Sequence, residues 1–182
     1  MKFINVSCVV LLLFVFLSPL NSKKRGHTVN TESIKRFTKN QTYEYPYGKK
    51  VSNRDMDILI RCVSSESGYC YSDSYRVAQV ILNRCAKNKK TIREVVYEKN
   101  QFSGIGSRLW KSTDEAHMAR VRGVCEHVLV GWIPKHLRLK RNVLYFINPK
   151  TAKGSWAAKM RKTKPVVVSE NNHHYYAEKS AR

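Results

Sequence analysis

Acidic residues are scarce in this chain. Thirteen Asp and Glu stand against 34 Lys and Arg, a formal net charge of +21 over 182 residues. Such a surface favours anionic polymers, and the charge is spread along the chain rather than gathered in one arm. It does not say which polyanion. Other absences narrow the field. No Cys-x-x-Cys pair occurs, which argues against a zinc ribbon. Gly104-x-Gly106 is too short for a phosphate-cradling loop. No helix segment sets basic and base-reading side chains on one face, so a specific nucleic-acid reader is not expected. There are no internal repeats and, after the first twenty residues, no long apolar run.

The apolar run that does exist is N-terminal. Lys2 precedes Val6 to Leu17, which Ser18-Pro19 interrupts. This is a short apolar stretch behind a positive start, as in a secretory signal peptide. It falls short of the ~20 apolar residues a comfortable membrane span needs. A signal peptide is therefore expected at 1–22, with cleavage near Ser22 and a secreted, periplasmic or wall-bound product. An uncleaved membrane anchor is the alternative. Cys8 lies inside the run rather than at its end, which argues against a lipoprotein. Residues 23–54 read as a basic linker or arm, and 55–182 as one domain, expected to be a monomer. An exported chain holding Cys62, Cys70, Cys85 and Cys125 is expected to form at least one disulfide, with three pairings open. The other reading is buried free thiols, because Cys85 and Cys125 fall on apolar helix faces.

Periodicity gives a mainly helical domain with a small sheet, class α+β. Ser52-x-x-Asp55 caps a first helix whose apolar face is Met56, Leu59, Ile60 and Val63. A second helix is predicted from about Ser74 to Ala86, with Ser72-Asp73-Ser74 as its cap. A short helix follows at Ile92 to Tyr97. A long one is capped by Ser112-x-x-Glu115 and ended by Gly131. Val143 to Ile147 reads as a buried strand, with shorter strands at Val166 to Val168 and His174 to Tyr176.

Glu66 is the acid of most interest. At about 100° per residue it falls at the edge of the first helix's apolar stripe, so its carboxyl is expected to be half-buried. Partial desolvation disfavours the charged form and suits a general acid near neutral pH. The alternative is an ordinary residue at a helix C-terminus. No other acid carries a local signature of a catalytic partner. Asp73, the nearest downstream, looks like a helix cap.

Further along come Val77-Ala78-Gln79-Val80-Ile81-Leu82-Asn83-Arg84, Thr91 to Tyr97, Gln101-Phe102-Ser103, Leu144-Tyr145-Phe146-Ile147-Asn148-Pro149, Trp156 and Asn172-His173-His174-Tyr175-Tyr176. In this order and spacing the chain resembles the cell wall hydrolases of the spore cortex-lytic enzyme type, over roughly Asp55 to Glu178. The resemblance implies a lysozyme-like α+β fold and a peptidoglycan-cleaving glycosidase without a cofactor. It implies Glu66 as catalytic acid and base, in a lytic transglycosylase acting on the MurNAc–GlcNAc bond. It places Ser67, Gln101, Phe102, Tyr145, Asn148, Trp156 and His173 at the glycan. Ser67 enters because Glu-Ser is a pair found in lytic transglycosylases of the lysozyme superfamily. For Phe102 and Trp156 a core role stands beside the glycan role, and a structural role beside His173. Adjacent strand residues face opposite ways, so His173 and His174 are not expected to share a metal. The four cysteines and the segment Glu66-Ser67-Gly68-Tyr69-Cys70 depart from the family pattern. Peptidoglycan strands and anionic wall polymers are the expected partners. A non-catalytic wall- or polyanion-binding protein of the same fold is the competing reading.

Overall fold

The computed structural model describes residues 50–178. The expected signal peptide and residues 23–49 of the expected arm lie outside them. Among the described residues five α-helices run in chain order: α1 Asn53–Ser67, α2 Tyr71–Asn88, α3 Ile92–Val96, α4 Glu115–Leu129 and α5 Ser155–Arg161. Three strands, β1 Val143–Ile147, β2 Val167–Val168 and β3 His174–Ala177, form an antiparallel sheet in the order β1-β3-β2. The α+β expectation holds, and the unforeseen helix is α5, which carries Trp156.

Capping chemistry sets the helix boundaries. Ser52 Oγ accepts the Asp55 N–H at 3.0 Å and opens α1. Gly68, at φ +58°, closes it with its N–H on the Ser64 carbonyl, a conformation open to glycine at little cost. Thr91 and Glu94 make a reciprocal capping box on α3. For α4 the cap is Asp114 rather than Ser112. Asp114 Oδ1 accepts the His117 N–H at 3.0 Å, and Ser112 Oγ accepts the Asp114 N–H one step earlier. Helix α2 starts three residues sooner than predicted, at Tyr71. Asp73 therefore lies inside its first turn instead of capping it, and its carboxyl is taken by His173, just before β3, and Tyr175 on β3.

Helix α2 is the hub and packs against α1, α3, α4 and β1. Its apolar residues Val77, Ala78 and Ile81 meet Leu59 and Val63 of α1 and Val121 and Val124 of α4 in one core. Each fully buried aliphatic of this kind contributes roughly 1.5–3 kcal/mol. The polar residues of α2 act as fasteners. Gln79 donates to the Leu137 carbonyl and accepts from the Leu139 N–H, and Asn83 donates to the carbonyls of Lys140 and Val143. These bonds lay the 137–143 segment along α2, and with it the start of β1. Val80 joins Val143 and Tyr175 in a second, smaller core beneath the sheet.

The expected disulfide is not formed: Cys62, Cys70, Cys85 and Cys125 are free thiols. Cys62, Cys85 and Cys125 belong to the main apolar core and show no exposed surface. They pack there as small hydrophobes. Burial pushes the Cys85 thiol up to about 12 and raises Cys62 and Cys125 as well, which keeps them protonated and inert.

Candidate active site

Glu66 occupies the last turn of α1, where the apolar stripe of Met56, Leu59, Ile60 and Val63 runs out. Its carboxyl is half-buried, as the helical geometry predicts. Loop 101–106 crosses it. The Gly104 N–H donates to Glu66 Oε1 at 2.6 Å, and the Ser103 N–H adds a second donor. Burial raises the Glu66 carboxyl above the usual range. The Gly104 and Ser103 N–H groups and the charge of His173 pull it back only in part. The partial negative charge at the end of α1 acts in the same direction as burial. The result is a carboxyl that retains its proton to higher pH while held in a fixed position.

Gly104 is required by space. A Cβ there would lie 2.5 Å from Ser65 Oγ and 3.0 Å from Glu66 Oε1. The glycine lets the loop backbone reach the carboxyl, a role that the pair Gly104-x-Gly106 does not reveal in the sequence. The loop is anchored by its neighbours. Phe102 is buried against Phe146, its ring centroid 6.3 Å away, with the Arg84 guanidinium 5.5 Å above its ring. Arg84 also pairs with Glu98 at 2.6 Å. Phe102 is thus a core anchor that positions the donors, and it does not line a groove.

The β2–β3 turn folds onto the end of α1. Asn171 Nδ2 donates to the Ser67 carbonyl at 3.1 Å. This brings His173 to the site, its Nδ1 3.0 Å from Asp73 Oδ2. The Tyr175 hydroxyl donates to Asp73 Oδ1 at 2.9 Å. Burial alone would raise the Asp73 carboxyl, but hydrogen bonds from His173, Ser169 and Tyr175 outweigh it and hold it below the usual range. His174 turns away, towards Tyr176 at 3.5 Å.

Among the expected glycan residues the placements differ. Ser67 is fully buried, its hydroxyl 2.6 Å from the Val63 carbonyl and 2.9 Å from Ser74 Oγ, so it fastens α1 to α2 and does not face a ligand. Gln101 is exposed at the rim of the loop, its amide turned to the Lys99 carbonyl at 3.5 Å. Asn148 Oδ1 accepts the Lys150 N–H at 3.0 Å, a turn that ends β1. Tyr145 and the exposed Trp156 meet edge to face at 6.1 Å, a ring pair outside the core. The structure therefore gathers Glu66, His173 and the 103–104 backbone. It adds Asp73, Tyr175 and Asn171, which the sequence reading had not assigned.

Residues 68–176 match the cell wall hydrolase family, a span that begins two residues after Glu66. Two solved structures are similar. The catalytic domain of the germination-specific lytic transglycosylase SleB from Bacillus anthracis is 24% identical, with a TM-score of 0.51, covering 68% of this chain and 94% of that one. The catalytic domain of the Bacillus cereus SleB protein is 26% identical at the same TM-score of 0.51, covering 69% and 91%. No curated protein matches the chain. With more than half its length inside the family's span, the chain belongs to the cell wall hydrolase family and is a wall-cleaving enzyme of lysozyme-like α+β fold.

Proposed function

We propose that the protein is a lytic transglycosylase that cuts the MurNAc–GlcNAc bond of peptidoglycan with Glu66 as acid and then base. The observation that carries this reading is the half-buried, proton-retaining carboxyl of Glu66 clamped by the Gly104 N–H. Glu66 gives its proton to the glycosidic oxygen as the bond to the muramyl C1 breaks. The ionised Glu66 then takes the proton of the muramyl 6-hydroxyl, whose oxygen closes on C1. No water is consumed and Glu66 ends as it began. Hydrolytic glycosidases use a second carboxyl to activate water or attack the sugar. Asp73 is poorly suited to that task, being fully buried and committed to Tyr175 and His173. The named activity of the Bacillus anthracis neighbour supports the same reaction.

Export by the N-terminal segment would bring the enzyme to its wall. Between Glu126 and Glu170 the chain carries ten Lys and Arg and no acid. This stretch suits adhesion to anionic wall polymers, and wall binding should weaken as salt rises. The decisive experiment digests purified peptidoglycan with the chain from Lys23 onward and with Glu66→Gln, and weighs the products. Muropeptides lighter by one water than hydrolysed ones, absent with Glu66→Gln, are expected. Full-mass reducing ends would mean hydrolysis. Full activity of Glu66→Gln would refute the assignment, and no soluble product from either protein would favour a wall-binding role.

A further inference from the structure

Asp73 stands in the first turn of α2 with no surface exposed to solvent. A carboxylate buried without partners is costly, and this one is fully partnered. Two of its donors, His173 just before β3 and Tyr175 within it, stand two residues apart. Holding a strand needs less than this. The imidazole, moreover, belongs to a circuit of contacts that returns to Glu66. His173 packs on Phe146 at 5.4 Å, and Phe146 on Phe102 at 6.3 Å. Phe102 immediately precedes the two residues whose N–H groups hold the Glu66 carboxyl. On the other side, Asn171 is bonded to the carbonyl of Ser67, next to Glu66. The charge of His173 acts on the Glu66 carboxyl, and with Nδ1 committed to Asp73 the imidazole's other ring nitrogen is Nε2.

We propose that Asp73 is a positioning residue for the cleavage reaction: by holding Nδ1 of His173 it fixes the imidazole on the Glu66 side of the site. The inference rests on Glu66 being the acid. An imidazolium at this place favours the ionised form of Glu66, so it opposes burial and limits how far up the pH scale the proton stays on. The groups that act on the Glu66 carboxyl are the 103–104 N–H pair and His173, and Glu66 in turn acts on the Cys62 thiol of its own helix. Those facing His173 are Asp73 from α2, Tyr175 from β3, the Phe146 ring from β1 and Glu66 from α1.

The test measures wall clearing by the full chain across pH for His173→Gln, Asp73→Asn, the double variant and Tyr175→Phe. Activity requires protonated Glu66 at the start, so it falls as pH rises through the Glu66 pKa. His173→Gln removes the charge that favours ionised Glu66. It should move this alkaline limb to higher pH. Asp73→Asn should move it the same way, and the double variant should move it no further than His173→Gln alone, because Asp73 acts through His173. Tyr175→Phe leaves the His173–Asp73 bond in place and should lower Tm without moving the limb. An unmoved limb in Asp73→Asn, or shifts that add in the double variant, would overturn the proposal. If Asp73→Asn does not fold, the NMR titration of His173 in Glu66→Gln decides: a curve identical to the parent's would show the two groups uncoupled and overturn it. Retained activity of Glu66→Gln would sink the underlying assignment of the acid, an outcome distinct from these.

Discussion

Replacing Gly104 by Ala tests the site through a single methyl group. The added Cβ would meet Ser65 Oγ at 2.5 Å, Ser65 Cβ at 2.7 Å and Glu66 Oε1 at 3.0 Å. Comfortable carbon contacts lie at about 3.5–4.0 Å, so the loop must retreat by about 1 Å. The Gly104 N–H bond to Glu66, now 2.6 Å, would stretch beyond hydrogen-bonding reach. A hydrogen bond to a charged group is worth about 1.5–3 kcal/mol, and an ångström of misplacement costs roughly 100-fold in rate. We expect kcat/KM for wall clearing to fall about 10- to 100-fold. The direction of the pH change is also fixed. The N–H favours the ionised carboxyl, so its loss lets Glu66 hold its proton to still higher pH, and the alkaline limb should move up. Gly106→Ala is the control. Gly106 has φ +80° and no atom within 4 Å of an added Cβ, so that variant should lose roughly 1–2 kcal/mol of stability to backbone strain without moving the limb. A Gly104→Ala enzyme within twofold of the parent, with the same limb, would refute the geometry argued for Glu66.

Phe102→Ala should cost about 3–5 kcal/mol in urea unfolding, because the ring is buried between Phe146 and Arg84, whereas Gln101→Ala at the exposed rim should leave stability unchanged. A reducing agent should leave Tm unchanged, since the four thiols are free. A thiol reagent should modify the partly exposed Cys70 of the native protein well before Cys62, Cys85 or Cys125. Asp73 should contribute an acid limb to stability. Its folded carboxyl is held below its unfolded value of about 3.9, so its contribution is full above that pH and disappears as pH falls through the lower folded value. Urea titrations of Asp73→Asn should lack this limb.

The sequence reading succeeded where one periodic signal sufficed. The stripe Met56, Leu59, Ile60, Val63 placed Glu66 at a half-buried helix edge, and the structure puts it there with a raised pKa. Val143 to Ile147 was legible as a strand from its apolar run, and its bounds agree. It failed where a residue's partner lies far along the chain. Asp73 looked like a cap because Ser-Asp-Ser before an apolar helix is a local signature, whereas its partners stand about a hundred residues away, on β3 and just before it. Ser67 was placed at the glycan because Glu-Ser is a pair found in lytic transglycosylases, yet one step along a helix rotates a side chain by about 100°, here into the contact with Ser74. Gly104 was read only as part of a glycine pair too short for a phosphate loop, because close backbone approach leaves no trace in composition. The cysteines misled because export suggested pairing, while their apolar helix positions, also visible in the sequence, described what they do.

Glycosidases divide labour between carboxyls by giving them different environments. This molecule has two acids at one end of α1 and α2, and their environments push them apart. Glu66 is raised by burial at the negative end of a helix, with backbone donors that only partly compensate. Asp73 is lowered despite deeper burial, because a phenol, an imidazole and a hydroxyl all bond its charged form. A general base that activates water needs a carboxylate open to that water. Asp73 would have to give up Tyr175 and His173 to become one, leaving buried polar groups unpaired at about 1–3 kcal/mol each. The raised acid is thus paired with a locked one, and the locked one reaches the site through His173. On this reasoning Asp73→Asn should change the rate and the pH profile but leave the anhydro ends of the products intact, while a switch to reducing ends would show that Asp73 had a direct part in choosing the nucleophile.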